Sequence, residues 1–232
     1  MDEEFGCLTL QLQMKESRLD RFRGCLVGLA VGDALGTSVE FKPRGTFAPV
    51  RTMLGGGPFG LATVCLLHLM GISPIILSEP VDTKRNLARE LGADHVIDPF
   101  GGEMGKLVFE MTSGVGFPAV FECAGVPDNI QKALDWVARG GDICVVSMMF
   151  APAPIVPMTL NFKEARLTGC YSNTQEENRQ CLQWMAEGRL DGRSLITDVV
   201  SLAQLPTVFR ERIDTGRAIK VLVETGAEKV SA

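Results

Sequence analysis

A short glycine-rich segment has the residue types and spacing to hold a phosphate. Residues 54–60 read LGGGPFG and satisfy the pattern G-x-G-x-x-G with Gly55, Gly57 and Gly60. In such a turn the first glycine permits the tight bend after a strand. The second lets the backbone approach a pyrophosphate, and the third lets the following helix pack against the strand. Pro58 suits the first turn of that helix, whose free N–H groups and partial positive charge would face the phosphates.

An acidic residue follows this turn at the distance expected of a dinucleotide-binding unit. Glu79 stands nineteen residues after Gly60 and immediately after the apolar run 75–78. A carboxylate there accepts hydrogen bonds from both hydroxyls of an adenosine ribose and repels a 2′-phosphate, so NAD is predicted and NADP is disfavoured. Lys84 is predicted to reach the ribose or a phosphate, the alternative being a solvated helix face that includes Lys84 and Arg85. A Rossmann-like turn that binds nothing also stays open.

Two further segments end apolar runs and are expected beside the same ligand. Residues 123–125 end the fourth predicted strand, and residues 147–149 end the fifth. Because ligands of open α/β sheets lie beyond the carboxyl ends of strands, these backbones are predicted to line the nicotinamide half. The Cys123 side chain itself is interpreted as a buried small hydrophobe, not a nucleophile. The predicted dinucleotide-binding residues are Gly55, Gly57, Pro58, Phe59, Gly60, Glu79, Lys84, Cys123, Ala124, Gly125, Ser147 and Met148.

The elements that must position these residues alternate between short apolar runs and amphipathic segments. Strands are predicted over residues 50–54, 74–78, 95–97, 119–123, 143–147 and 167–171, with helices over 59–70, 82–91, 104–112 and 129–137. Near-continuous apolar strands that alternate with helices indicate a parallel sheet covered on both faces. Right-handed crossovers then wind it into an α/β, doubly wound Rossmann fold. A helix over 175–187, a strand over 195–200, a helix over 202–213 and a strand over 220–224 are predicted to follow.

The residues before the first strand have a different pattern. Ser17 and Asp20 have the spacing of a capping box, and apolar residues then recur at helical spacing, which predicts an added N-terminal helix. Arg51 falls in the first strand, so we expect either that Arg51 lies at the open end of the strand or that the strand is short. The predicted domains are an N-terminal helix and loop (1–49), a dinucleotide-binding domain (50–193) and a C-terminal strand-helix-strand segment (194–232).

Composition excludes several classes of function. The 232 residues carry a net charge of −5 without a run of basic residues, which argues against nucleic acid as a partner. Seven cysteines without a Cys-x-x-Cys pair indicate reduced thiols in a cytoplasmic protein. The two histidines, His68 and His95, lack neighbours at ligand spacing, so no metal ligand and no catalytic residue is predicted. Neither a basic leader nor an unbroken spanning segment is found, which predicts a soluble protein without a membrane partner.

From Gly55 onward the chain resembles the coenzyme domain of zinc-dependent, medium-chain alcohol and polyol dehydrogenases. The resemblance rests, in order, on GGGPFGLATV, SEPVDTKRNLARELGADHVIDP, FECAGVPDNIQKAL and GRAIKVLVE. It implies a Rossmann fold, with the glycine turn at the pyrophosphate and Glu79 and Lys84 at the adenosine ribose. The family carries its zinc ligands in a preceding domain that has no counterpart in residues 1–54. Zinc is therefore not expected in this chain, and hydride transfer would lack its Lewis acid.

Residues 21–60 resemble the N-terminal helix and loop of ADP-ribosylglycohydrolases instead. The resemblance rests on GDALG at residues 32–36 and on the Glu-Phe-Lys-Pro sequence at residues 40–43. The magnesium-binding Thr-Asp-Asp and Asp-x-Asp motifs of that family do not appear. The two resemblances meet at residues 55–60, which predicts a chimera joined at a shared glycine turn.

Four functional interpretations remain open. The first is an NAD-binding Rossmann domain that is not catalytically competent alone. The second is an NAD-linked alcohol dehydrogenase completed by another chain, and the third is a protein that binds or hydrolyses ADP-ribose. The fourth is a folded relic without a site. The expected partners are a dinucleotide, together with either a second copy of the chain or a separate chain that carries the catalytic domain.

Overall fold

The computed structural model describes residues 51–101 and 104–224. The predicted N-terminal helix, its capping box and the ADP-ribosylglycohydrolase-like segment up to residue 50 lie outside the described residues. The described chain forms two compact units, one ending at Leu190 and the other beginning at Asp191. No helix in either described range is long and apolar enough to cross a membrane.

The first unit is built on six parallel strands. They are β1 (Arg51–Leu54), β2 (Ile75–Ser78), β3 (His95–Ile97), β4 (Phe117–Glu122), β5 (Val137–Val145) and β6 (Arg166–Gly169), in the order β3-β2-β1-β4-β5-β6. The connecting helices are α1 (Pro58–Leu69), α2 (Asp82–Glu90), α3 (Met104–Thr112), α4 (Asp128–Trp136) and α5 (Pro157–Lys163), and α6 (Gln175–Ala186) follows β6. The strand order reverses between β1 and β4, which opens a crevice at the carboxyl ends of the strands. The predicted doubly wound α/β fold is confirmed.

The central strand, β1, has a charged residue at the start of its described range. β1 has four residues, and its first residue, Arg51, is in register with Ile75 of β2 and Ala119 of β4. Because residue 50 lies outside the described residues, the expectation that Arg51 lies at an open strand end or that the strand is short stays a prediction. Leu54 ends β1 beside Ser78 and Glu122, so three strands finish at the same level.

The core explains why this sequence forms a covered sheet. Leu54, Ile76, Val120 and Ile143 occupy one face of four neighbouring strands and pack with apolar residues of α3 and α4. Each buried aliphatic side chain of this kind contributes roughly 1.5–3 kcal/mol relative to exposure. Helix α1 is buried along most of its length, from Gly60 to Leu67, which is why its sequence is apolar all round.

Three elements differ clearly from the prediction, each for an identifiable reason. β5 begins at Val137, not at residue 143, because a register shift opposite Phe117–Ala119 lets the strand continue through polar residues. Helix α5 was missed because none of its seven residues is buried, so the sequence has no apolar stripe there. The helix predicted over 202–213 is divided into α7 (Leu205–Val208) and a π-helical segment, Phe209–Ile213.

The second unit has a parallel pair of strands, β7 (Ile196–Ser201) and β8 (Lys220–Glu224). A 3-10 turn at Arg193–Leu195 precedes β7. The Arg212 guanidinium lies 3.1 Å from the Asp198 carboxylate, which joins the π-helical segment to β7. The predicted strand over 195–200 is displaced by one residue, and the strand over 220–224 is confirmed.

Candidate functional site

The glycine turn leaves β1 through a backbone conformation that side chains rarely adopt. Gly55 has a φ of +102°, and its N–H donates to the carbonyl of Ser78 at 2.9 Å. A Cβ at Gly55 would lie 2.7 Å from Cβ of Ala124, closer than two carbon atoms can approach. Glycine is therefore required here both for the turn and for its contact with the residues that follow β4.

The turn opens onto the N-terminus of α1. Pro58 is the first helical residue, and the first helical hydrogen bond runs from the N–H of Leu61 to the carbonyl of Gly57 at 3.0 Å. The N–H groups of Phe59 and Gly60 precede this bond and are among the donors that a helix leaves unpaired at its start. A Cβ at Gly57 would meet nothing within 4 Å, so the space above the turn is open. An anion can therefore approach the positive end of α1.

Gly60 is the residue that brings α1 against β1. A Cβ on Gly60 would lie 1.8 Å from the carbonyl oxygen of Gly55, a distance that no side chain tolerates. The first turn of α1 and the end of β1 are thus in backbone contact. This is the role that the sequence pattern assigns to its third glycine.

Glu79 lies beneath the turn and holds it. Its carboxylate accepts a hydrogen bond from the N–H of Gly56 at 2.6 Å and another from the N–H of Val81 at 2.9 Å. The side chain is only 5% exposed. A Cβ on Gly56 would lie 2.9 Å from Cγ of Glu79, so the middle glycine of the triplet also has a structural reason to be glycine. Sequence reasoning missed Gly56, because its pattern treats that position as variable.

The two basic residues after Glu79 have different environments. Arg85 donates to the carbonyls of Glu79 at 2.8 Å and Pro80 at 2.7 Å, and its side chain is 14% exposed. It also lies 3.2 Å from the Asp82 carboxylate and 3.5 Å from that of Asp98. The alternative of a solvated helix face was therefore wrong for Arg85. Lys84 is half-buried; its backbone N–H donates to the carbonyl of Val81 at 3.1 Å, and within the described part of the chain its ammonium group has no hydrogen bond or ion pair.

The ends of β4 and β5 are joined by a buried carboxylate that the sequence analysis did not single out. Glu122 has no exposed surface. Its Oε1 accepts from the N–H groups of Ala124 at 2.9 Å and Gly125 at 3.0 Å, and its Oε2 accepts from the hydroxyl of Ser147. A Cβ on Gly125 would lie 3.5 Å from the carbonyl of Met148, so the two loops run side by side. An acidic residue that ends a wholly apolar run was the available signal.

These contacts bring most of the predicted site residues to one edge of the sheet. The turn, Glu79 and the loops after β4 and β5 all follow the carboxyl ends of neighbouring strands. Ala124 and Met148 are exposed there, and Ser147 is half-buried. Cys123 is buried, so only its backbone could face a ligand. The arrangement fits a dinucleotide, since it offers helix N–H groups, an open glycine backbone and a carboxylate at the end of β2.

The Cys123 thiol faces the interior and is held in its neutral form. Burial raises the pKa of Cys123 above its ordinary value, and the neighbouring Glu122 carboxylate raises it further. The hydroxyl of Thr63 lies 4.0 Å from the sulfur and acts weakly in the opposite direction. A thiol that keeps its proton is a poor nucleophile. The interpretation of Cys123 as a buried small hydrophobe agrees with this environment.

The raised pKa of Cys123 predicts a loss of stability in alkali. The unfolded thiol ionises near its ordinary pKa of 9.0, whereas the folded thiol stays protonated. The stabilising contribution is therefore complete below pH 9 and is lost as the pH rises above it, by about 1.4 kcal/mol per pH unit. Urea unfolding of the wild type and Cys123→Ala at pH 8 and pH 10.5 measures this. Cys123→Ala should lose about 2 kcal/mol less than the wild type; parallel losses would contradict the prediction.

No metal centre accompanies these groups in residues 51–101 and 104–224. Within those ranges, no cluster of three or more His, Cys, Asp or Glu side chains is placed to hold a metal ion. His68 and His95 are both exposed and lie on α1 and β3.

Two family models match the chain. The model of zinc-binding dehydrogenases matches residues 58–187, more than half of the sequence. The model of ADP-ribosylglycohydrolases matches residues 14–71, so the two matches overlap over residues 58–71, which contain α1.

Individual relatives agree with the first match. Scyllo-inosose 3-dehydrogenase of Thermotoga maritima is 34% identical over 173 residues, which are 72% of this chain and 43% of that protein. A 2-dehydro-3-deoxy-L-galactonate 5-dehydrogenase of Pseudoalteromonas atlantica is 29% identical, with coverage of 76% and 51%. The chain thus spans about half the length of these curated relatives.

Solved structures share the fold over three quarters of this chain. A putative zinc-binding dehydrogenase from Sinorhizobium meliloti, bound to NADP, has a TM-score of 0.67 at 30% identity and covers 75% of this chain and 52% of its own. A putative alcohol dehydrogenase from Thermotoga maritima has a TM-score of 0.66 at 32% identity, with coverage of 75% and 45%. The Sinorhizobium meliloti protein is bound to NADP, and residues 58–187 of this chain contain helix α1 and strands β2 to β6 of the sheet. The chain therefore belongs to the zinc-binding dehydrogenase family, and it is the coenzyme part of that family that it contains.

Proposed function

We propose that this chain binds NAD at the carboxyl edge of the six-stranded sheet. The observation that carries the proposal is the turn between β1 and α1. The N–H of Gly56 in this turn donates a hydrogen bond to the Glu79 carboxylate, and a Cβ on Gly57 would meet no atom within 4 Å. The pyrophosphate would lie over Gly57 and accept from the N–H groups of Phe59 and Gly60, at the positive end of α1.

The adenosine ribose would lie beside Glu79. Each carboxylate oxygen accepts one backbone N–H and keeps a further lone pair, which a ribose hydroxyl can use. A 2′-phosphate would place negative charge against the same group. The Arg85 guanidinium, which would otherwise attract that phosphate, is already bound to two carbonyls and two carboxylates. NAD is therefore proposed over NADP.

The coenzyme supplies hydride transfer when bound, and the chain's own residues orient it. The loops after β4 and β5 would hold the nicotinamide half, through the backbones of Ala124, Gly125, Ser147 and Met148. In the sequence before Gly55 there is no Cys and His-Glu constellation that could ligate a catalytic zinc. We therefore propose that the chain alone binds coenzyme without oxidising an alcohol.

A second candidate function is NAD-linked oxidation of an alcohol or polyol, completed by another chain. The observation in its favour is that the relatives are dehydrogenases and that this chain aligns with about half of their length. The overlap of the two family matches over residues 58–71 supports a third proposal, that the sequence is a chimera joined at the turn. Binding or hydrolysis of ADP-ribose and a folded relic without a site are the remaining alternatives.

Calorimetric titration of the purified chain tests the first proposal. NAD, NADP and ADP-ribose are titrated separately, without added zinc, into protein whose far-UV circular dichroism shows it to be folded. We expect saturable binding of NAD and ADP-ribose, with NADP at least tenfold weaker because Glu79 repels its 2′-phosphate. Folded protein that releases no heat with any of the three would instead favour the relic without a site.

Glu79→Gln tests the origin of the coenzyme preference. The glutamine amide removes the negative charge of Glu79. Any damage to the glycine turn should weaken NAD and NADP equally. The ratio of their two dissociation constants therefore reports only on the interaction of residue 79 with the adenosine ribose. We expect the preference for NAD over NADP to fall by about tenfold, or 1.4 kcal/mol. Glu90→Gln is the matched control, since it removes an exposed carboxylate at the last residue of α2 and should leave the ratio unchanged. An unchanged ratio in Glu79→Gln would show that Glu79 does not face the ribose.

A further inference from the structure

A fully buried carboxylate stands at the end of the central part of the sheet. Glu122 ends β4 with no exposed surface, where every other residue from Ala119 onward in that strand is apolar. An ionised group in such a place costs folding free energy unless it is well hydrogen-bonded. Here it accepts from Ala124, Gly125 and Ser147, and from the Asn129 amide at 3.4 Å.

The donors to Glu122 come from two separate loops. Ala124 and Gly125 belong to the connection from β4 to α4, Asn129 lies in the first turn of α4, and Ser147 belongs to the loop after β5. The main-chain carbonyl of Glu122 also accepts from the N–H groups of Val146 at 2.8 Å and Ser147 at 3.1 Å. One residue therefore fixes the separation of both loops at the edge where the ligand is proposed to bind.

The same sheet contains a buried carboxylate of another kind. Asp142 of β5 accepts from the Arg166 guanidinium at 2.5 Å and 2.8 Å, which ties β5 to β6. It is in register with Ala119, three residues before Glu122 toward the amino ends of the strands. Its acceptor contacts are with a neighbouring strand, whereas those of Glu122 are with the loops of the proposed site. Asp142 therefore joins two strands, whereas Glu122 fixes the backbone of the loops in the proposed site.

We propose that Glu122 is a positioning residue for the nicotinamide half of the coenzyme. The inference rests on the proposed function and goes one step beyond it. The Glu122 carboxylate holds the backbones of Ala124 and Gly125 and that of Ser147 at the spacing that a nicotinamide ribose and ring need. The adenine half, held by the glycine turn and Glu79, does not depend on it in the same way.

Glu122→Met tests this role, because methionine fills the site without accepting a hydrogen bond. Methionine leaves the N–H groups of Ala124 and Gly125 without an acceptor, which costs folding free energy, so circular dichroism first checks that the variant folds. The probes are NAD and ADP, which lacks the nicotinamide ribose and ring. We expect NAD to bind about tenfold more weakly, as the loss of charged hydrogen bonds implies, and ADP to change by less than about twofold. The emission of bound NADH, which reports on the nicotinamide ring, should shift toward that of the free coenzyme.

Glu122→Gln should restore most of the NAD affinity. Its amide oxygen can accept from Ala124 and Gly125, while its amide N–H can donate to the Ser147 hydroxyl, which also accepts. Asp142→Asn is the matched control for a buried carboxylate in the same sheet, and it should leave the ratio of NAD to ADP affinity unchanged. If Glu122→Met does not fold, Ser147→Ala, which cuts only the link between the loops, should give the same selective loss at about threefold.

The outcomes distinguish this inference from the proposed function. If the wild type binds neither NAD nor ADP, the proposed function and the positioning role of Glu122 are both overturned. If the wild type binds both, and the Glu122 or Ser147 variants weaken NAD and ADP equally, Glu122 supports the sheet alone and only the positioning role is overturned. A selective loss of NAD that Glu122→Gln reverses is the result expected.

Discussion

Gly60→Ala is expected to destabilise the protein by about 3 kcal/mol, the upper part of the range for overpacked sites. The added methyl would stand 1.8 Å from the carbonyl oxygen of Gly55. That atom belongs to a backbone that is itself fixed, because the N–H of Gly55 is bound to Ser78 and the turn is clamped by Glu79. Neither partner can turn aside as the end of a flexible side chain would. Helix α1 must therefore move away from β1, which opens the most buried helix of the unit.

The measurement is urea unfolding followed by circular dichroism, from which the free energy of unfolding is extrapolated. Gly105→Ala is the matched control, since Gly105 also lies in the first turn of a helix and a Cβ there would meet nothing within 4 Å. Alanine in a helix is favoured over glycine by roughly 0.5–1 kcal/mol, so this variant should be slightly stabilised. Equal stabilities for Gly60→Ala and the wild type would mean that α1 does not approach β1 at this residue.

Most of the sheet could be predicted because most of its strands are short and apolar and are separated by segments that are either amphipathic, like α2 and α4, or apolar throughout, like α1. The turn could be predicted because glycine types and spacing encode it locally. Helix α5 could not, since it buries none of its residues and leaves no periodic signal. The long course of β5 also depends on pairing with β4, which the sequence of β5 alone does not reveal.

The sequence predicted where the site residues lie along the chain, but it did not predict most of their hydrogen bonds. Residue type and spacing indicate that Glu79 ends β2, but not that its carboxylate accepts the N–H of Gly56 from a turn 23 residues earlier. The link between Glu122 and Ser147 spans 25 residues and joins two strand ends. Likewise, the ion pair of Arg85 with Asp98 joins α2 to the segment that follows β3. Such contacts depend on the tertiary fold, and no local pattern specifies them.

The two strands that flank β1, β2 and β4, are each associated with a buried carboxylate at their carboxyl end. Ser78 of β2 and Glu122 of β4 are both in register with Leu54, the last residue of β1. Beyond that level, the carboxylates of Glu79 and Glu122 each accept backbone N–H groups from a loop of the proposed site. The glycine turn is packed between them, with Gly55 against Ala124. Two buried acids therefore hold the backbone that a dinucleotide would contact, one for each half of the ligand.

Gly57→Ala should separate ligand binding from folding. Gly57 has a φ of −71° and a ψ of −175°, which alanine adopts without strain, and a Cβ there meets nothing within 4 Å. The free energy of unfolding should therefore stay within about 0.5 kcal/mol of the wild type. The added methyl stands in the open space that the pyrophosphate would occupy, so we expect NAD to lose about 2 kcal/mol, or thirtyfold, in calorimetric titration. Gly105→Ala, which lies outside the turn, should bind NAD as the wild type does. If Gly57→Ala also keeps wild-type affinity, the pyrophosphate does not approach the turn at Gly57, and the proposed mode of binding is wrong.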